Sequence, residues 1–376
     1  MSRFFTRFFS GLFLIFCFSG AFALDFGGVF VNDSEFRFRD GGSYINQTDS
    51  VTLWGEMGNS ALSFGIEGFY EFKFLDGNVF HNLDLNLARL NIRSPDSGLF
   101  DIKLGRIYKS DLTGYILGQK LDGVDFMFNF PKVSFGFYGG YTGLTNTNTT
   151  KMVSPSKSLI TDGLYPLNVG TVIGGLSLST SSLIVNQDMS FEVMGLLDAE
   201  TLEENRVYFS LLSQGLIAGN WLYNASSTLA LGIGDFYGKP EVSNLSALEF
   251  IRVFKGWHSS LRLSGLYASG FDNGDNCFYP VTALSVLPCS EVTIVPSSLV
   301  LLGIAGTAKP MDNLYAELRF QNQFDSGNFS YYGLSYSGKV VYSVFSDLQL
   351  SLCLGQHYLV SGTNYVECSL SLMTLF

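Results

Sequence analysis

After its first two dozen residues the chain contains no run of some 20 uncharged apolar residues, so no segment can cross a bilayer as a helix. Basic clusters are missing too. With 33 acidic residues against 22 basic ones, the sequence offers no stripe of lysine and arginine for phosphate backbones, which excludes nucleic acid as a partner. Charge is sparse overall, at 15 % of residues, too little for the exposed surface of a large soluble β-sandwich. Proline is scarce, with nine residues and no Pro- or Ser-rich linker, so nothing divides the chain into domains. The three histidines, His81, His258 and His357, are scattered without metal-ligand spacing. No phosphate-cradling glycine loop or dinucleotide fingerprint is present, so no cofactor is expected.

What the chain does have is 41 glycines, 35 phenylalanines and 19 tyrosines, a composition of strands and tight turns, with a mean hydropathy of +0.23. The first residues, MSRFFTRFFSGLFLIFCFSGAFA, place Arg3 and Arg7 before an apolar run and end in Ala21-Phe22-Ala23. That layout predicts a secretory signal over 1–23 with cleavage after Ala23, leaving 24–376 as one domain. Without Arg3 and Arg7 the remainder has 20 basic and 33 acidic residues, a net charge of −13.

Period-2 alternation then recurs down the chain. In ALSFGIEGFYEFKF (61–74), Leu62, Phe64, Ile66, Tyr70, Phe72 and Phe74 share one face, and Ser63, Glu67, Glu71 and Lys73 the other. The same split separates Phe100, Ile102 and Leu104 from Asp101 and Lys103, and Leu314, Leu318 and Phe320 from Glu317, Arg319 and Gln321. The final YVECSLSLMTLF alternates up to Phe376. Alternation alone fits a sandwich with its apolar face inward or a membrane barrel with that face outward. The export signal, the aromatic excess and the low charge select the barrel.

Long and short connections are expected to alternate, with loops at 40–50, 75–80, 108–121, 143–167, 199–205, 233–246 and 269–292. The expected fold is all-β: a transmembrane antiparallel up-and-down barrel of about sixteen to eighteen strands, with fourteen admitted. Segments 205–231 and 328–345 could each gain or lose a strand. In HNLDLNLARLNIRS the apolar phase slips between Leu87 and Leu90, which predicts a bulge near Ala88.

Taken together, the signal, the hairpin series and the terminal SLSLMTLF resemble a Gram-negative-type outer-membrane β-barrel of the porin kind, and LFDIKLGRIYKSDLTGYILGQKLDGVDF (99–126) is porin-like. The resemblance covers the whole mature chain and is one of pattern. It implies an outer-membrane location in contact with lipid, recognition of the last strand and Phe376 by the barrel-assembly machinery, and passive diffusion of small hydrophilic solutes or ions. Loop 108–121 would enter the pore if it folds as in general porins, placing Lys109 and Asp111 at the constriction. Two other readings stay open: a transporter for hydrophobic ligands of the fatty-acid type, and a non-conducting adhesin or scaffold.

The inward phase assigns Glu67, Glu71, Lys73, Asp84, Asn86, Asp101, Lys103, Asp125, Arg262, Glu317 and Arg319 to the lumen wall. Acids outnumber bases among them, which predicts a weak cation preference. His258 and Ser260, two apart in GWHSSLRL, have a base-nucleophile spacing but no orienting third residue, so no enzymatic activity is expected. Cys277 and Cys289, within one exported loop, are expected to form a disulfide. The solute and the oligomeric state are not legible in the sequence.

Overall fold

The computed structural model describes residues 23–39, 42–95, 98–159, 161–184, 186–270, 276–285, 293–360 and 364–376. Of the signal expected over 1–23, residues 1–22 lie outside them. Eighteen strands form one closed sheet: β1 (Ala23–Arg39), β2 (Gly42–Gly58), β3 (Leu62–Leu75), β4 (Asn78–Arg93), β5 (Phe100–Ser110), β6 (Gly118–Asn129), β7 (Val133–Tyr141), β8 (Thr171–Ile184), β9 (Gln187–Asp198), β10 (Asn205–Ala218), β11 (Trp221–Ile233), β12 (Glu241–Phe254), β13 (Ser259–Ala268), β16 (Leu299–Met311), β17 (Leu314–Asp325), β18 (Tyr331–Phe345), β19 (Leu348–Leu359) and β20 (Tyr365–Leu375). The two-residue strands β14 (Leu284–Ser285) and β15 (Thr293–Ile294) pair with each other inside the connection after β13.

Each barrel strand pairs antiparallel with its sequence neighbours, and β20 returns to β1 from Val29↔Leu375 to Arg39↔Tyr365. Closure leaves no sheet edge, so the backbone groups of the strands bond within the wall, as a bilayer requires. The last residue completes the seam. Phe376 N–H donates to Gly28 O at 3.0 Å and Gly28 N–H to Phe376 O at 2.8 Å. A Cβ on Gly28 would lie 2.5 Å from the Phe376 ring, so only glycine lets the terminal aromatic lie against the wall there.

The count of eighteen corrects the expected range of sixteen to eighteen with fourteen admitted. Segment 205–231 supplies two strands, β10 and β11, because Gly219 at φ +57° turns the chain within two residues and leaves no polar stretch to mark the break. Segment 328–345 supplies one, β18.

Two expected loops are also corrected. Residues 42–58 are strand where a loop at 40–50 was expected, and Asp76-Gly77 alone turns β3 into β4. The register slip in β4 falls two residues before Ala88: Glu67 pairs with Leu87 and Gly68 with Leu85, so Asn86 is the extra residue.

Exposed apolar side chains mark one face of each strand, as with Leu229, Leu354 and Leu370 at 52–53 %. The opposite face carries most of the polar groups. That is the inverted pattern of a barrel whose outer surface meets hydrocarbon. No helix among the described residues is long and apolar enough to cross a membrane, so strands form the only apolar span described.

Candidate functional site

One hairpin leaves the wall. The β4–β5 ladder ends at Ala88↔Arg106 and the β6–β7 ladder at Asp122↔Tyr141, yet β5 and β6 stay paired beyond both, up to Ser110↔Gly118. The branch occurs at Gly105, whose φ of +112° is closed to most L-residues and whose added Cβ would lie 2.2 Å from Ala88 O. Past that point Ile107, Ile116, Leu117 and Leu121 are buried, in one cluster with Tyr138, Ile173, Met194, Tyr208, Leu245, Leu266 and Leu301 from the inner faces of β7 to β16. The tip of the β5–β6 hairpin therefore packs inside the barrel. Burying four such side chains contributes roughly 1.5–3 kcal/mol each.

The connection at 142–170 takes the place the hairpin vacated beside β4. Leu83 N–H donates to Leu164 O at 3.0 Å, Asn146 Nδ2 to Leu83 O at 2.8 Å, and Asn148 Nδ2 to Asn82 Oδ1 at 2.8 Å. Residues 276–285, from the connection after β13, cap the tip. Val281 and Thr282 N–H both donate to Ile116 O, at 2.8 and 2.9 Å, and Ala283 N–H donates to Lys151 O at 2.7 Å.

Two buried arginines hold these segments. Arg106 grips Asp122 with both arms, Nε to Oδ1 at 2.8 Å and Nη2 to Oδ2 at 2.7 Å, and also donates to Tyr165 OH, Leu85 O and Leu144 O. Arg206 donates to Tyr279 O, Pro280 O and Val153 O and lies 2.9 Å from Glu204.

Asp111 shapes the tip itself. Its Oδ1 accepts from Ile116 and Leu117 N–H, and its Oδ2 from Thr113 and Gly114 N–H and Thr113 Oγ1. Glu192 accepts from Leu112 N–H and Tyr138 OH. Of the two courses open to loop 108–121, into the pore or over the surface, the structure takes the first, while Asp111 faces its own turn. Lys109 is bound to Asp125 at 2.8 Å and lies over the Tyr138 ring.

A cavity of about 270 Å³ separates Gly114 and Tyr115 on the tip from Glu249, Arg262, Ser264, Arg319 and Gln321 on β12, β13 and β17. The wall charges are paired: Arg262 Nε lies 3.1 Å from Glu249 Oε1, and Arg319 Nη2 lies 2.8 Å from Glu317 Oε1. Burial raises the Tyr115 pKa, the Glu249 carboxylate adds to the rise, and Arg262 opposes it. The phenol therefore stays neutral at physiological pH and can donate a hydrogen bond across the gap.

The other sequence-assigned residues occupy several settings. Glu67 accepts from Asn86 at 2.9 Å, and Glu71 accepts from Asn82 at 2.8 Å with Lys73 3.4 Å away. Asp84 is buried at the hairpin junction, bonded to Lys120 and Thr149 with Arg106 at 3.8 Å, and the half-buried Asn86 accepts from the same Lys120 at 3.1 Å. Asp101 lies 3.4 Å from Arg93, and Lys103 lies 3.8 Å from Asp125. Cys277 is a free, buried thiol, so the expected staple is not made; Cys289 lies outside the described residues. His258 belongs to the turn at Gly256–His258, and the Ser260 hydroxyl is bonded to Thr307 Oγ1 at 2.7 Å.

Sequence reasoning missed Arg106, Arg206, Tyr115, Glu192 and Glu249. A Gly-Arg at the end of a strand was the one visible signal, for Arg106.

No protein-family model and no curated protein matches the chain in sequence. Solved structures do match in shape. OccK2 (OpdF) of Pseudomonas aeruginosa, in complex with glucuronate, superposes with a TM-score of 0.66 at 14 % identity, over 94 % of this chain and 98 % of that one. The barrel has the porin fold. OccK9 (OpdG) of the same organism gives 0.66 at 13 % identity, and the P. aeruginosa outer-membrane protein OpdK with vanillate gives 0.62 at 12 %, each over 94 % of this chain and 98 % of that one. At these identities the likeness concerns the path of the chain alone.

Proposed function

We propose that this chain is an outer-membrane channel through which small hydrophilic solutes diffuse passively, with a weak preference for cations. The observation that carries this reading is the gap between Tyr115 and the charged wall of β12, β13 and β17, inside a closed barrel whose outer face is apolar. Similar barrels crystallised with glucuronate and with vanillate support a small organic solute.

Glu67, Glu71, Lys73, Asp101, Lys103, Asp125, Arg262, Glu317 and Arg319 would line the path, with most acids softened by a neighbouring cation. The reading assigns no catalysis to the chain. It includes removal of residues 1–23 and delivery to the barrel-assembly machinery, with Phe376 at the closing seam.

Planar-bilayer recording of the refolded mature chain tests it. Discrete steps are expected, with a cation-selective reversal potential in a salt gradient, and Tyr115→Ala should raise the unit conductance. A heat-modifiable, β-rich barrel that conducts nothing, in either form, would refute the channel reading.

A further inference from the structure

Two hollows on the outer wall adjoin along β12. The first is a cleft of about 540 Å³ at the end of the barrel that carries the short turns, lined by Gly219, Asn220, Trp221, Arg252, Phe254 and Lys255. The second is a groove of about 370 Å³ deeper in the apolar band, lined by Leu248, Phe250, Leu263, Leu302, Ile304 and Phe320, with Gly265 leaving its floor bare. Phe250 in the groove and Arg252 in the cleft are two residues apart, roughly 7 Å along the strand.

Arg252 points outward by phase. Glu249 and Arg262 line the lumen gap, whereas Leu248 and Leu263 are exposed on the far face. Arg252 shares the phase of Leu248 and pairs with Leu261, which shares that of Leu263. The wall cations Lys73, Lys103, Arg262 and Arg319 take the opposite, inward phase.

Two rings hold the outward guanidinium at the rim. It lies 5.3 Å from the centroid of Trp221 and 5.1 Å from that of Phe254. Trp257, in the adjoining turn, is exposed, as an interfacial tryptophan is. Among the described residues neither Arg252 nor Lys255 forms an ion pair with a carboxylate. Two cations left unneutralised by the protein, at the edge of an apolar band, attract an anion from the membrane surface.

We infer that these hollows bind one anionic glycerophospholipid of the periplasmic leaflet, its phosphate between Arg252 and Lys255 and an acyl chain in the groove over Gly265. The leaflet follows from the turns, because short turns face the periplasm in such barrels. Asn220, whose side-chain amide both donates and accepts, lines the cleft where headgroup oxygens would lie. The inference rests on the membrane reading above, but not on conduction.

The mature chain, refolded in mild detergent, is incubated with phosphatidylglycerol or with phosphatidylcholine of the same acyl chains and examined by native mass spectrometry. Phosphatidylglycerol is expected to be retained in preference by about tenfold or more, since each of two cations favours an anionic headgroup. The double variant Arg252→Gln with Lys255→Gln should lose that preference. Gly265→Leu, whose Cβ would meet only the Leu302 side chain at 3.7 Å, fills the groove and should lower retention of both lipids. All these changes lie on the outer wall or a turn, so the variants should keep heat-modifiable migration.

Equal retention of the two lipids by the wild type, an unchanged preference in the glutamine variant, or unaltered retention in Gly265→Leu would each overturn the inference. So would displacement of the bound lipid by inorganic phosphate alone, which would make the cleft a phosphate site. A barrel that inserts into vesicles of either lipid without a preference loses the site and keeps the membrane reading; a chain that inserts into neither loses both.

Discussion

Replacing Arg106 by methionine keeps most of the side-chain volume and removes the clamp that seats the hairpin inside the barrel. The side chain is 7 % exposed and holds two bonds to Asp122, one to Tyr165 and one each to the carbonyls of Leu85 and Leu144, with Asp84 at 3.8 Å. Removing it turns a balanced set, Arg106 and Lys120 against Asp84 and Asp122, into one with an uncompensated negative charge. Losing one member of such a buried pair costs about 3–5 kcal/mol. The undocked fraction of the hairpin should then rise by about two to four orders of magnitude. The apolar burial of Ile107, Ile116, Leu117 and Leu121 still favours the docked state, so undocking should appear as brief upward steps in single-channel current, on a barrel that keeps its heat-modifiable migration. Tyr165→Phe, which removes the bond from the Arg106 guanidinium, about 1.5–3 kcal/mol, together with the one to Leu144 O, should multiply the same events by about tenfold or more. Current traces of Arg106→Met indistinguishable from wild type would show that Arg106 does not hold the constriction.

Asp111→Ala should unfold the tip with little effect on the wall. It strands the buried N–H groups of Ile116 and Leu117, at roughly 1–3 kcal/mol each, and should appear as local protease sensitivity near 111–117 within an intact barrel. Gly105→Ala should lower the yield of folded barrel in lipid vesicles, because neither the φ of +112° nor the 2.2 Å approach to Ala88 O admits a Cβ. A refolding yield equal to wild type would show that the branch point lies elsewhere.

Much of the wall was legible because a strand between two solvents repeats every two residues. Glu67, Glu71 and Lys73 were separated from Phe64, Ile66 and Tyr70 by period alone, and the terminal alternation pointed to Phe376 as part of the last strand. The strand count stayed between fourteen and eighteen because a turn of two residues, such as Gly219-Asn220, barely interrupts the alternation, and the excess of turn residues at 42–50 is absorbed into β2.

The lumen constriction was not legible. Lys109 and Asp111 were placed at the opening by loop analogy, yet one is tied to Asp125 and the other to its own turn. The residue that faces the gap, Tyr115, has no periodic neighbours to mark it.

By itself the sequence determined the class of object: an exported, acidic chain whose many aromatic, alternating segments have one polar and one apolar face, and so a barrel with its apolar side outward. Local covalent order suffices for that, because the phase of a strand is carried by adjacent residues. Which charges are neutralised and where the path narrows depended on contacts such as Arg106 with Tyr165 and Arg206 with Tyr279. These join residues 59 and 73 positions apart, and no period in the chain encodes the closure that brings them together.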